Sequence, residues 1–162
     1  MSKSKSSAPV SLFGSLIRLS VFILALAYIS EKLAGLKSIP FAVGSASHNV
    51  LIVFAYWADL LQPGFALFAL WAASTLFGSL GRGDPFKPAV VKGMRGVGLN
   101  LIFGATGALV LVPLFNYLAY GAAPAQVYGP YIESLTFGLI GLVFYMLARQ
   151  GQALKSELEQ FV

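Results

Sequence analysis

Apolar residues fall into four long blocks, at about 11–33, 65–80, 96–118 and 131–147, each with room for a bilayer-spanning helix. A polar segment at 1–10, rich in Ser and carrying Lys3 and Lys5, precedes them and reads as a disordered cytoplasmic tail. The first block has an uninterrupted centre at 19–29 and ends at Lys32 and Lys37, where Gly35, Pro40, Gly44 and Ser45 break the helix. A basic start, an apolar run and Ala25-Leu26-Ala27 imitate a secretory signal with its cleavage site, but the preferred reading keeps the block as a span. Next comes a shorter run at 50–61, closed by Gln62-Pro63-Gly64. Two arrangements fit it: an interfacial or re-entrant helix, or one helix from about 48 to 80 kinked at Pro63. The break is preferred, because Pro and Gly together punctuate more strongly than either alone.

Composition turns this pattern into a class. The chain is 57% hydrophobic and 10% charged, with a mean hydropathy of +0.79, against roughly one-quarter charged residues in a soluble domain. Its 162 residues are filled by the spans, so the expectation is one integral membrane domain, an all-α polytopic bundle of four transmembrane helices with an additional interfacial or kinked helix in the first outer loop. The basic residues are spread over short loops without a recognition module, which argues against nucleic acid and for a topology signal that meets lipid head groups. Cysteine is absent, which removes thiolate chemistry and disulfides.

Charge then orients the chain. Lys3, Lys5, Arg18, Arg82, Lys87, Lys92, Arg95, Arg149 and Lys155 fall on one side, against Lys32 and Lys37 on the other, while 120–130 holds no Lys or Arg. The positive-inside rule places both termini, including a tail at 148–162, in the cytoplasm. An odd number of spans would put a basic cluster on the wrong side.

Candidate chemistry is sparse. The third block is rich in small residues, at Gly96, Gly98, Gly104, Ala105, Gly107 and Ala108, and the fourth carries Ser134, Gly138 and Gly141. Small residues let helix backbones approach where lipid supplies no hydrophobic drive, so Gly104, Gly107, Ala108, Gly138 and Gly141 are read as packing positions. Asn100 and Asn116 are expected to bond to neighbouring helices. Ionisable groups at membrane depth are functional candidates. Arg18 can snorkel to the inner surface, and Glu31 reads as a solvated partner of Lys32. Asp59 and Glu133 remain as candidate polar groups within the membrane region, each with water at the interface as the plainer explanation. His48 is the lone histidine and cannot build a metal site by itself. No nucleophile, base or metal constellation is present, so no catalytic residue and no cofactor are expected.

Gly81-Arg82-Gly83-Asp84-Pro85-Phe86 reads as a tight cytoplasmic elbow, with Asp84 and Pro85 suited to open the following helix. Arg82, Lys87, Lys92 and Arg95 there present positive charge to lipid phosphates or to a partner. Gly83-Asp84-Pro85-Phe86, followed by Met94-Arg95-Gly96-Val97-Gly98, resembles the hallmark of a bacterial four-helix membrane family known as domain of unknown function 2975. Lys87-Pro88-Ala89 departs from the Thr or Ser, often with an acidic neighbour, that this family carries after the Phe. The resemblance implies an integral protein of the bacterial inner membrane with no known reaction, similar in setting to small membrane proteins paired with a helix-turn-helix regulator.

The expectation that follows is a non-enzymatic accessory, envelope-sensing or scaffolding subunit, partnered by membrane lipids and by other membrane subunits or copies of itself. The competing reading is a small transporter or ion pathway using Asp59, Glu31 or Glu133; no inverted repeat and no paired intramembrane charges support it. A membrane enzyme acting on lipid or quinone is the least favoured.

Overall fold

In the computed structural model, residues 8–39, 46–80, 88–121 and 128–160 are described, and all of their regular elements are helical. They form α1 (Ala8–Gly35), α2 (Ala46–Ala58), α3 (Leu61–Leu80), α4 (Pro88–Thr106), α5 (Val112–Tyr120) and α6 (Tyr128–Gln160). Four stretches are long and apolar enough to cross a bilayer: Leu12–Ser38, Ala46–Phe77, Pro88–Tyr120 and Tyr131–Ala153. The chain is therefore a multi-pass helical membrane protein in its architecture. Helix extends beyond the expected third block of 96–118, since α4 begins at Pro88 and α5 ends at Tyr120. Likewise, α6 continues without a break to Gln160.

Two prolines explain how the middle spans are divided. Proline has no amide hydrogen and its ring clashes with the carbonyl four residues back, so the disturbance falls one turn upstream. Pro63 acts on Asp59, and the helix breaks at Asp59–Leu60 while Gln62-Pro63-Gly64 sit inside the first turn of α3. There a missing donor costs nothing, because the first amides of a helix lack intrahelical partners anyway. The interruption lies a turn earlier than Gln62-Pro63-Gly64, and Ala46–Phe77 runs through it as one candidate span, so the expected second span at 65–80 begins instead at Ala46. Pro113 acts on Leu109 in the same way. Residues Gly107–Leu111 widen into a π turn, the Val112 amide reaching back to the Gly107 carbonyl.

Both disturbances stand at one height. A methyl group on Gly107 would lie 3.2 Å from Leu61 Cβ. Below that level α3 packs on α4; above it α2 packs on α5, burying Ile52, Ala55 and Ala119 with Phe54 stacked on Phe115 at 6.0 Å. Helix α4 is also packed along α6, and α1 lies along α3. Gly121, at φ +71°, closes α5 in a left-handed cap.

Candidate functional site

Helix α1 is fastened near its end by a polar latch. Lys32, in its last turns, reaches α2, where Nζ lies 3.3 Å from Asp59 Oδ2 and donates to the Tyr56 carbonyl at 3.2 Å. The Tyr56 hydroxyl donates back to the Lys32 carbonyl at 2.6 Å, and the ammonium sits 4.3 Å from the Tyr56 ring centre. The break at Asp59–Leu60 ends α2 at the point where these groups face α1. Asp59 is thereby paired, with side-chain exposures of 52% for Asp59 and 21% for Lys32. At that exposure the ion pair itself contributes no more than about 1 kcal/mol. The tyrosine makes the latch specific: a side chain on Gly35 would collide with its hydroxyl.

A second latch holds α1 lower down. Arg18 Nε donates to Ser74 Oγ at 3.2 Å, Ser74 donates to the Trp71 carbonyl at 2.7 Å, and the guanidinium lies 5.6 Å from the Trp71 ring. Ser74 is only 1% exposed. Nearby, Phe13 meets Phe77 edge-on at 5.6 Å. Arg18 thus has a protein partner, where sequence reasoning took it to snorkel toward the inner surface. No local pattern marks Ser74; it was missed because its partner lies on another helix.

Between the latches α1 stands off α3, leaving two hollows. One, of about 470 Å³, is lined by Val21, Ile29, Gly64, Phe68 and Trp71 and by no ionisable side chain other than the phenol of Tyr28. The other, of about 410 Å³, lies between α1, α3 and α6 and is lined by Tyr28, Gln62, Leu70, Glu133 and Phe137 among others. Here α6 is pinned to α3 by Ser134 Oγ donating to Gln62 Oε1 at 2.7 Å. Ser134 is 2% exposed. Its neighbour Glu133, rotated about 100° around the helix, opens toward the hollow and has no hydrogen bond or ion pair with a described residue.

The small residues lie on two faces of α4. Toward α3, added methyls on Gly93, Gly96, Gly104 and Gly107 would stand 3.0 Å, 3.3 Å, 3.0 Å and 3.2 Å from Leu76, Ala72, Phe65 and Leu61 side chains. Toward α6, Gly98 and Gly141 meet backbone to backbone: a methyl on Gly98 would be 2.6 Å from the Gly141 oxygen, and one on Gly141 would be 2.8 Å from the Gly98 oxygen. A methyl on Gly138 would be 3.0 Å from Ala105 Cβ. Ala108 is half-buried within the π turn. Asn100 bonds its own helix, donating to the Gly96 carbonyl at 2.8 Å, and not a neighbour as expected.

Of the basic turn, Lys92 and Arg95 are exposed, and the Arg95 guanidinium lies 5.9 Å from the Tyr145 ring. Arg82 and Lys87 lie outside the described residues, as does the Gly83-Asp84-Pro85-Phe86 motif. Among the described residues, no group of three or more His, Asp and Glu side chains is placed to hold a metal ion.

A family model described as "Protein of unknown function (DUF2975)" matches residues 42–162. No curated protein and no solved structure matches the chain.

Proposed function

The chain belongs to the DUF2975 family of proteins of unknown function, and from that premise we propose that it is a non-enzymatic subunit of the bacterial inner membrane, both termini in the cytoplasm, that scaffolds or senses for a partner. The observation that carries this reading is the unequal attachment of its helices. Helices α3, α4 and α6 are joined along glycine-lined seams, down to backbone contact between Gly98 and Gly141. By contrast, α1 is tied by two side-chain latches with hollows between them. A rigid body with a separately latched helix suits a component that passes on a change at the membrane by moving one helix. The exposed Lys92 and Arg95 at the start of α4 offer a place for a partner's acidic groups or for lipid phosphates.

Gentle extraction from the source membrane followed by native mass spectrometry tests it. The expected result is a stoichiometric membrane-protein partner or a homo-oligomer that is lost when Lys92 and Arg95 are both replaced by Ala in a protein that still folds. Recovery of a bare monomer that conducts ions or solute in liposomes, with flux abolished by Asp59→Asn or Glu133→Gln, would overturn the reading in favour of a transport pathway.

A further inference from the structure

We propose that the hollow between α1, α3 and α6 is a binding site for a lipophilic organic cation, an apolar body carrying one ammonium or phosphonium centre, with Glu133 as its counter-ion. The proposal goes beyond the scaffolding reading and does not depend on it.

Three observations converge on this chemistry. The first is size: about 410 Å³ lies within the range of sites for small organic ligands, roughly 300–1,000 Å³. The second is the unpartnered carboxylate. Glu133 belongs to the apolar span Tyr131–Ala153, and no described residue bonds to it. Of the other acidic groups in the apolar stretches, Asp59 is already engaged by Lys32 at 3.3 Å, and Glu31 lines neither hollow. The third is fixed placement. The Ser134–Gln62 hydrogen bond, 2.7 Å long and buried, sets the rotation of α6 and so holds Glu133 toward the hollow.

The neighbouring hollow serves as an internal control. It is larger, about 470 Å³, and has apolar walls with no carboxylate, which is what a groove for lipid chains requires. A site for lipid tails alone has no use for Glu133, whereas a cation with an apolar body satisfies both the charge and the walls. Tyr28 and Phe137 line the same space, and aromatic faces attract a cation by the quadrupole of the ring. A hydrophilic cation would gain little from Leu70 and Phe137, and a neutral lipid would leave the exposed carboxylate to water alone.

Equilibrium binding of radiolabelled tetraphenylphosphonium to the full chain in phosphatidylcholine nanodiscs is the test. Saturable binding at one site per chain is expected, weakened about three- to fivefold by Glu133→Gln, the size of effect that follows loss of one partner from a charge pair at an exposed side chain. Glu133→Asp should retain most of the binding, and Asp59→Asn should leave it unchanged. Ala66 also lines this hollow, and Ala66→Trp, which places an indole there and leaves Glu133 in place, should abolish it. Tetraphenylborate, of the same shape and opposite charge, should show no saturable binding. Equal binding of the two probes, or undiminished binding of tetraphenylphosphonium to folded Glu133→Gln or Ala66→Trp protein, would overturn the assignment, as would absence of saturable binding to the unaltered chain.

Discussion

Where α4 meets α6, backbone touches backbone; where α1 meets the rest of the protein, side chains reach across. In the first region a methyl on Gly98 would stand 2.6 Å from a carbonyl oxygen and 2.7 Å from the Tyr145 nitrogen, neither of which can rotate away. In the second, the contacts are an arginine on a serine, a lysine on a carboxylate and a pair of phenyl rings, and space remains between them. Apolar side chains gain little by leaving lipid for another helix, so close approach and hydrogen bonds must hold a membrane bundle together. This chain uses the two devices in different places. The glycine seams make a body that resists deformation, and the latches make a helix that one substitution loosens at one end.

The comparison can be broken most severely at the seam. Gly98→Leu should force α4 and α6 apart, costing more than the roughly 1–3 kcal/mol typical of overpacking, because the obstructing atoms are backbone. Thermal unfolding in mild detergent should show a lost or strongly lowered transition. Gly104→Leu should cost less, its nearest neighbour being the Phe65 side chain.

Ser134→Ala removes the part-buried hydrogen bond from α6 to Gln62. It should lower stability by about 1 kcal/mol, within the range measured for hydrogen bonds between membrane helices. The same variant should loosen the placement of Glu133, which a cysteine-accessibility probe at that position would register as faster labelling.

Asp59→Asn weakens an exposed pair and should cost less than about 1 kcal/mol, an effect read best as increased labelling of the α1 end and not as a shift in unfolding. Gly64→Ala sharpens the contrast by its sign. Nothing lies within 4 Å of a methyl group there, so the substitution should stabilise α3 by about 0.4–1 kcal/mol through the unfolded chain. A destabilised Gly64→Ala protein would mean that α1 closes over the hollow more tightly than described.

Much of the bundle was legible from residue order. Four apolar blocks separated by charged or Gly-Pro segments marked the spans, and the hallmark around Gly83 and Arg95 carried the family. The break at Asp59–Leu60 was displaced from its expected place because a proline acts on the residue four positions before it. Lys32 was assigned to Glu31, yet adjacent helical residues point in different directions, so its partner had to come from elsewhere and is Asp59. Arg18 with Ser74, and Ser134 with Gln62, are pairings between helices separated by 56 and 72 positions, and no spacing rule within one helix reveals them. The division of the α4 glycines into two faces needed the positions of both neighbours.

The two proline-induced bends have a consequence for bilayer thickness. The middle spans contain 32 and 33 residues, which at about 1.5 Å per residue would reach roughly 48–50 Å if straight. A hydrocarbon layer is about 30 Å deep. Because the two interruptions stand at one height, the α2–α5 pair can incline as one piece and take up the surplus. The expected response to a thinner membrane is a greater inclination of that pair, with the glycine-lined seam of α3 and α4 keeping its register.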